Sequence, residues 1–230
     1  MIKKRLVKDK IAFGLICLLA GLTVVPLLAI LGEVFLRGYD QLSWSFFTEP
    51  TPTAYKAMKA IEAGEPIPGG IANGIVGTML MLGMATIVAV PIGILCGVYL
   101  AENSKSRFAQ IVSYLTDLLQ GTPSVIIGIV IYIWVVVPMK GYSAIAGSVA
   151  LFVMMLPLII RSTEETLKIL PASLKEAGLA LGGNEARVML RVQLPAAFGG
   201  VFTGVLLAIS RVIGETAPLM FTALGCSLIR

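Results

Sequence analysis

Long runs of this sequence contain no charged residue at all, among them Ile11 to Gly32 and everything between Glu65 and Glu102. A helix needs roughly 20 apolar residues to cross a bilayer core about 30 Å thick. Ordinary soluble domains carry about 25% charged residues, whereas this chain carries 13%, is 57% hydrophobic, and has a mean hydropathy of +0.92. The sequence therefore reads as an all-α integral membrane protein, and a water-soluble enzyme with one packed core is excluded. Histidine is absent, which removes His-based catalysis and His metal sites. Cys17, Cys96 and Cys226 show neither CxxC spacing nor a disulfide framework. The pI of about 9.2 is not matched by a basic stripe with interleaved aromatics, so no nucleic-acid partner is expected.

Five spans are expected. The first, 11–36, follows a basic stretch at 1–10; its apolar run exceeds the 7–15 residues of a signal peptide, so it is read as uncleaved. Residues 37–70 form an outer loop, and Pro68, Gly69, Gly70 and Asn73 place the second span at about Ile75 to Leu100, with Pro91 expected to kink it. The third covers Pro123 to Met139 behind a polar lead-in from Ala109, with Thr122 as N-cap, Pro123 at the first helical position and Ser124 next. The fourth runs from Gly141 to Ile160. The fifth starts near Leu194 and continues past Arg211 and Glu215 to about Leu224. With the N-terminus inside, the inner segments hold 12 of the 18 basic residues and the outer ones hold 4, so the positive-inside rule favours that orientation.

The inner segment 161–195 is the longest polar stretch. Pro171 ends a first helical stretch. Ser173 and Glu176 are spaced as a capping box for a short helix 174–181. Gly182-Gly183 is a left-handed stop, and Asn184 can cap a second short helix that ends before Leu194-Pro195. Glu176-Ala177-Gly178-x3-Gly182-x9-Val192-x-Leu194-Pro195 resembles the EAA loop of binding-protein-dependent ABC importer permeases, with Gly178 and Val192 as mild departures. The resemblance implies that Glu176, Ala177, Gly178 and Gly182 dock on a cytoplasmic ATPase subunit.

A second group of motifs narrows the family. Arg211-x-Ile-Gly-Glu215-Thr216-Ala-Pro is similar to a signature of phosphate importer permeases of the PstA type. Gly121-Thr122-Pro123-Ser124-x3-Gly128 and Leu156-Pro157-x3-Arg161-Ser-Thr-Glu-Glu165 resemble that group too, and together the likeness runs from about Gly74 to Leu224. It implies a polytopic bundle of the type I ABC importer kind in a bacterial or archaeal plasma membrane. It also implies a second permease subunit, a homodimeric ATP-binding subunit that holds ATP–Mg, and a periplasmic phosphate-binding protein. No cofactor is expected in this chain, nor any ATPase activity, because it has no GxxxxGK[ST] motif. The translocation candidates are Arg211, Glu215, Thr216, Arg161, Thr122 and Ser124.

Several readings stay open at this point. An intramembrane Arg and Glu four residues apart form either a mutual ion pair or part of an anion path, and Arg161 is either a routine inner-end basic residue or a substrate contact. Another oxyanion, such as sulfate, molybdate or phosphonate, and a non-transporting regulatory scaffold are the alternatives to phosphate import. Members of the group normally have six spans, so residues 225–230 are expected to leave the sixth missing. The aromatic residues of 37–70 suit either a binding-protein contact or a membrane interface.

Overall fold

The computed structural model describes residues 2–39, 42–65 and 67–224. Residues 225–230, with Cys226 and the expected lack of a sixth span, lie outside that range. Among the described residues every regular element is helical. The chain divides into two units, residues 1–72 and 73–230.

In the first unit, α1 (Ile2–Gly38) extends the expected first span in both directions. Its apolar portion Lys8–Gly38 is 31 residues long, about 46 Å at 1.5 Å per residue, which is ample for a bilayer. Its apolar side chains, from Ile11 to Leu36, are exposed, as a lipid-facing helix requires. The 37–70 segment is not a plain loop, since it holds α2 (Trp44–Thr48) and α3 (Ala54–Ala63). Ser43 caps α2 by accepting from the Phe46 N–H, and Gly64 at φ +68° ends α3.

The second unit opens with α4 (Ala72–Glu102), whose first residue still belongs to the first unit and which continues unbroken through Pro91. Then come α5 (Arg107–Gly121), α6 (Ser124–Ile131), a π-helical turn at Tyr132–Val136 and α7 (Val137–Met139). The polar lead-in is thus a helix of its own, and the chain bends by 106° between Gly121 and Ser124. Thr122 does not cap the following helix: its hydroxyl donates to the Leu118 carbonyl at 2.6 Å, closing α5. Pro123 occupies the N-cap position instead. A residue before proline is pushed out of helical φ/ψ, so Thr122 is extended (φ −76°, ψ 130°) and its hydroxyl turns back.

The fourth span, α8 (Ala144–Ile169), does not stop at Ile160 but carries Arg161 and Glu164 within the same helix. After it come α9 (Ala172–Ala180), α10 (Glu185–Val188), a π turn at Met189–Gln193, α11 (Leu194–Ile213) and α12 (Ala217–Thr222). Two expectations are corrected here. The Ser173–Glu176 capping box does not form, because α9 starts at Ala172 behind Pro171, leaving both residues inside the helix. No break precedes Leu194-Pro195 either; the Leu194 N–H bonds to the Met189 carbonyl five residues back, and this widened turn accommodates the N–H that Pro195 lacks. The fifth span, by contrast, is interrupted at Gly214–Thr216.

α8 is the core of this unit. Leu151, Met155 and Ile159 are fully buried among Ala85 and Ala89 of α4, Ile127 and Ile131 of α6, and Ala208 and Val212 of α11. Lipid tails are as apolar as leucine, so close backbone packing has to hold such helices together, and small residues spaced by four supply it. Two such faces grip α8. Gly93 and Gly97 of α4 lie against Ile159 and Thr163, and Gly200 and Gly204 of α11 lie against Thr166 and Ser162.

Candidate functional site

The densest polar cluster of the second unit joins α5 to α8. Arg161 donates to Asp117 Oδ1 through Nη2 (2.5 Å) and Nε (3.0 Å), and to Glu164 Oε2 through Nη1 (2.6 Å). Nη2 also reaches the Ser113 hydroxyl (2.7 Å) and carbonyl (3.1 Å). The other Glu164 oxygen takes the Lys168 ammonium at 2.6 Å. Only 6% of the Glu164 side chain is exposed, against 57% of Asp117. Burial of a lone carboxylate is costly, and here each of its oxygens has its own cation. A cavity of about 260 Å³ opens beside the cluster, lined by Ser104, Gln110, Ser113, Arg161, Glu164 and Lys168 among others. Two cations and two carboxylates balance, so Arg161 is a cross-helix tie before it is anything else.

Arg211 and Glu215 are not brought together. α11 ends at Ile213, and the Glu215 N–H returns to the Val212 carbonyl at 3.1 Å. Glu215 and Thr216 therefore sit in the break between α11 and α12, and no ion pair joins Glu215 to Arg211 among the described residues. The requirement of four residues within one helix is what fails. Irregular backbone at membrane depth is tolerated where protein buries it or where it lines a water-filled path.

Two of the motifs read separately in the sequence do meet. A Cβ on Gly128 would lie 2.8 Å from Pro218 Cα, so α6 and α12 cross at those two residues. The Ser143 N–H bonds to the Thr222 carbonyl at 3.2 Å, tying the start of α8 to the same helix. Thr122 and Ser124 stand at the 106° bend that starts this crossing.

Within the 161–195 segment, α9 and α10 fold as a small hairpin. Gly182 adopts φ +81°, Asn184 Oδ1 accepts from the Arg187 N–H at 2.8 Å, and the Gly183 N–H bonds to the Gly178 carbonyl at 3.2 Å. Gly178 lies flat against the buried Val188, since a Cβ there would approach Val188 Cγ1 to 2.8 Å. Lys175 forms an ion pair with Glu102, at the end of α4. Glu176 and Ala177 are exposed, and Leu181 is 91% exposed. A compact hairpin with an exposed tip, braced to a span, can transmit a push.

Residues 89–229 match the family described as binding-protein-dependent transport system inner membrane component. The phosphate transport system permease protein PstA of Yersinia pestis is 40% identical over 200 residues, and that of Haemophilus influenzae 37% over 218 residues. The chain belongs to this permease family, in its PstA-type branch. The aligned regions cover 86% and 94% of this chain, and 64% and 73% of the two relatives. Among solved structures, an inward-facing MetNI methionine ABC transporter matches 76% of the chain and 77% of its own with a TM-score of 0.57 at 19% identity, which establishes the shared importer-permease fold.

Sequence reasoning about this permease missed Asp117, Ser113 and Lys168, and quoted Glu164 without giving it a role. Arg161, Glu164 and Lys168 follow one another at i+3 and i+4, a legible helix-face pattern. Asp117 lies 44 residues from Arg161, and no local pattern announces it.

Proposed function

We propose that this chain is the transmembrane permease subunit of an ATP-driven phosphate importer in a bacterial or archaeal plasma membrane, with its N-terminus in the cytoplasm. It forms the path with a second permease subunit, receives phosphate from a periplasmic binding protein, and couples through the hairpin to a homodimeric ATPase that binds ATP–Mg. The observation that carries this reading is the interruption of the fifth span at Gly214–Thr216, in the stretch that resembles the phosphate-permease signature. Glu215 and Thr216 stand in that break and Arg211 on the turn before it. A guanidinium supplies paired N–H donors to an oxyanion, and a carboxylate accepts from the P–OH of a protonated phosphate, a donor that sulfate lacks. Thr122 and Ser124 mark the start of the helix that packs on the broken segment, and Arg161 holds α5 against α8.

Phosphate uptake by the assembled transporter tests this. Arg211→Gln is expected to abolish uptake, and Arg211→Lys to retain part of it, because an ammonium is a point charge and not a fork. The Arg211→Gln, Glu215→Gln double variant should stay inactive while the ATPase still co-purifies. Near-normal uptake by that assembled variant would remove the anion-path role, and preferential uptake of sulfate would replace phosphate as substrate.

Coupling has a separate test. Gly182 holds a left-handed conformation that costs a side-chain-bearing residue about 1–2 kcal/mol. Gly182→Leu is expected to leave membrane insertion intact while lowering uptake per ATP hydrolysed. Wild-type uptake with normal ATPase association would rule out a docking role for the hairpin.

A further inference from the structure

We propose that α2 and α3 form an interfacial collar, resting on the bilayer with Trp44, Phe47, Met58 and Ile61 inserted at the boundary between phospholipid headgroups and acyl chains. The depth of α2 is fixed by hydrogen bonds. The Gly70, Ile71 and Ala72 N–H groups donate to the carbonyls of Pro50, Phe46 and Glu49 at 3.1, 2.9 and 3.0 Å. These bonds pin the end of α2 to the first residue of α4, where a membrane span begins. Chain length sets the same limit from the other side: Trp44 follows Gly38, the last residue of α1, by six residues, which hold it within roughly 22 Å of that span's end.

The side chains at that depth suit a membrane. Trp44 is 83% exposed, and on α3 Met58 and Ile61 are exposed on one arc with Glu62 at its edge beside Tyr55, while Ala60 on the opposite side is buried. An amphipathic helix held at a span's mouth by both chain ends buries such an arc about 5–10 Å into the headgroup region, and Trp and Tyr favour that level. Lys59 can extend from the flank of α3 to lipid phosphates. The collar requires only that α1 and α4 cross the membrane, so it stands or falls independently of the transported substrate.

The chain has two tryptophans, so Trp134→Phe, at a site 75% exposed, leaves Trp44 as the sole reporter. The full chain is reconstituted in phosphatidylethanolamine–phosphatidylglycerol vesicles, with iodide on both sides as the aqueous quencher. Lipid brominated near the headgroup should quench Trp44 at least about twofold, more than lipid brominated deep in the chain, with iodide having little effect. Met58→Trp in a Trp44→Phe, Trp134→Phe background should give the same order from α3. Ready quenching by iodide with none by bromolipid would place the segment in water and overturn the collar. Shielding that arises only when the second permease subunit or a binding protein is added would assign the face to a protein and overturn it as well.

Discussion

Arg161→Gln is expected to destabilise the second unit by about 3–5 kcal/mol, because removing one partner of a buried ion pair leaves the other uncompensated. The stranded group is Glu164, whose side chain is 6% exposed and would keep only Lys168, itself half-exposed. The same change frees Asp117 and the Ser113 hydroxyl on α5, so the α5–α8 contact loses its polar tie. Arg161→Lys should recover only part, since one ammonium cannot span Ser113, Asp117 and Glu164 at once. Arg161→Gln with Glu164→Gln should regain most of the loss by removing the buried charge itself. Thermal unfolding of the purified protein in lipid nanodiscs measures all three variants. A wild-type melting temperature for Arg161→Gln would show that the cluster contributes nothing to stability, and phosphate uptake by the double variant then reports on transport alone.

Gly97→Val should be nearly as damaging, at about 3 kcal/mol, the upper end of ordinary overpacking. A Cβ on Gly97 would come within 2.6 Å of Thr163 Cβ and 2.8 Å of the Ile160 carbonyl. The second of these is backbone of the central helix and cannot rotate away, so α4 would have to lift off α8. Gly83 sits on the same helix, and a Cβ there would meet nothing within 4 Å, so Gly83→Val controls for the altered backbone propensity. Size-exclusion profiles and unfolding temperatures compare the two. Equal behaviour would mean that the Gly93–Gly97 face does not hold the helices together.

The sequence alone sufficed for the membrane class, the helical stop at Gly182 and the cap at Asn184. Each depends on residues within one helix length of each other: an apolar run is long enough or it is not, and a glycine adopts a positive φ whatever lies elsewhere. Ser173 and Glu176 show where local reading fails. Their spacing fits a capping box, but Pro171 sets the start of α9 two residues earlier, and one helix admits one start. The same holds at Leu194-Pro195, where a widened turn lets the chain continue and the packing of α11 on α8 gives it a reason to. Asp117 became visible only when α5 lay across α8, and Gly93, Gly97, Gly200 and Gly204 gained meaning only once Ile159, Ser162, Thr163 and Thr166 faced them. Tertiary structure decided these features because a buried charge takes whichever partner the fold brings within hydrogen-bond reach, and a small residue matters only where another backbone arrives.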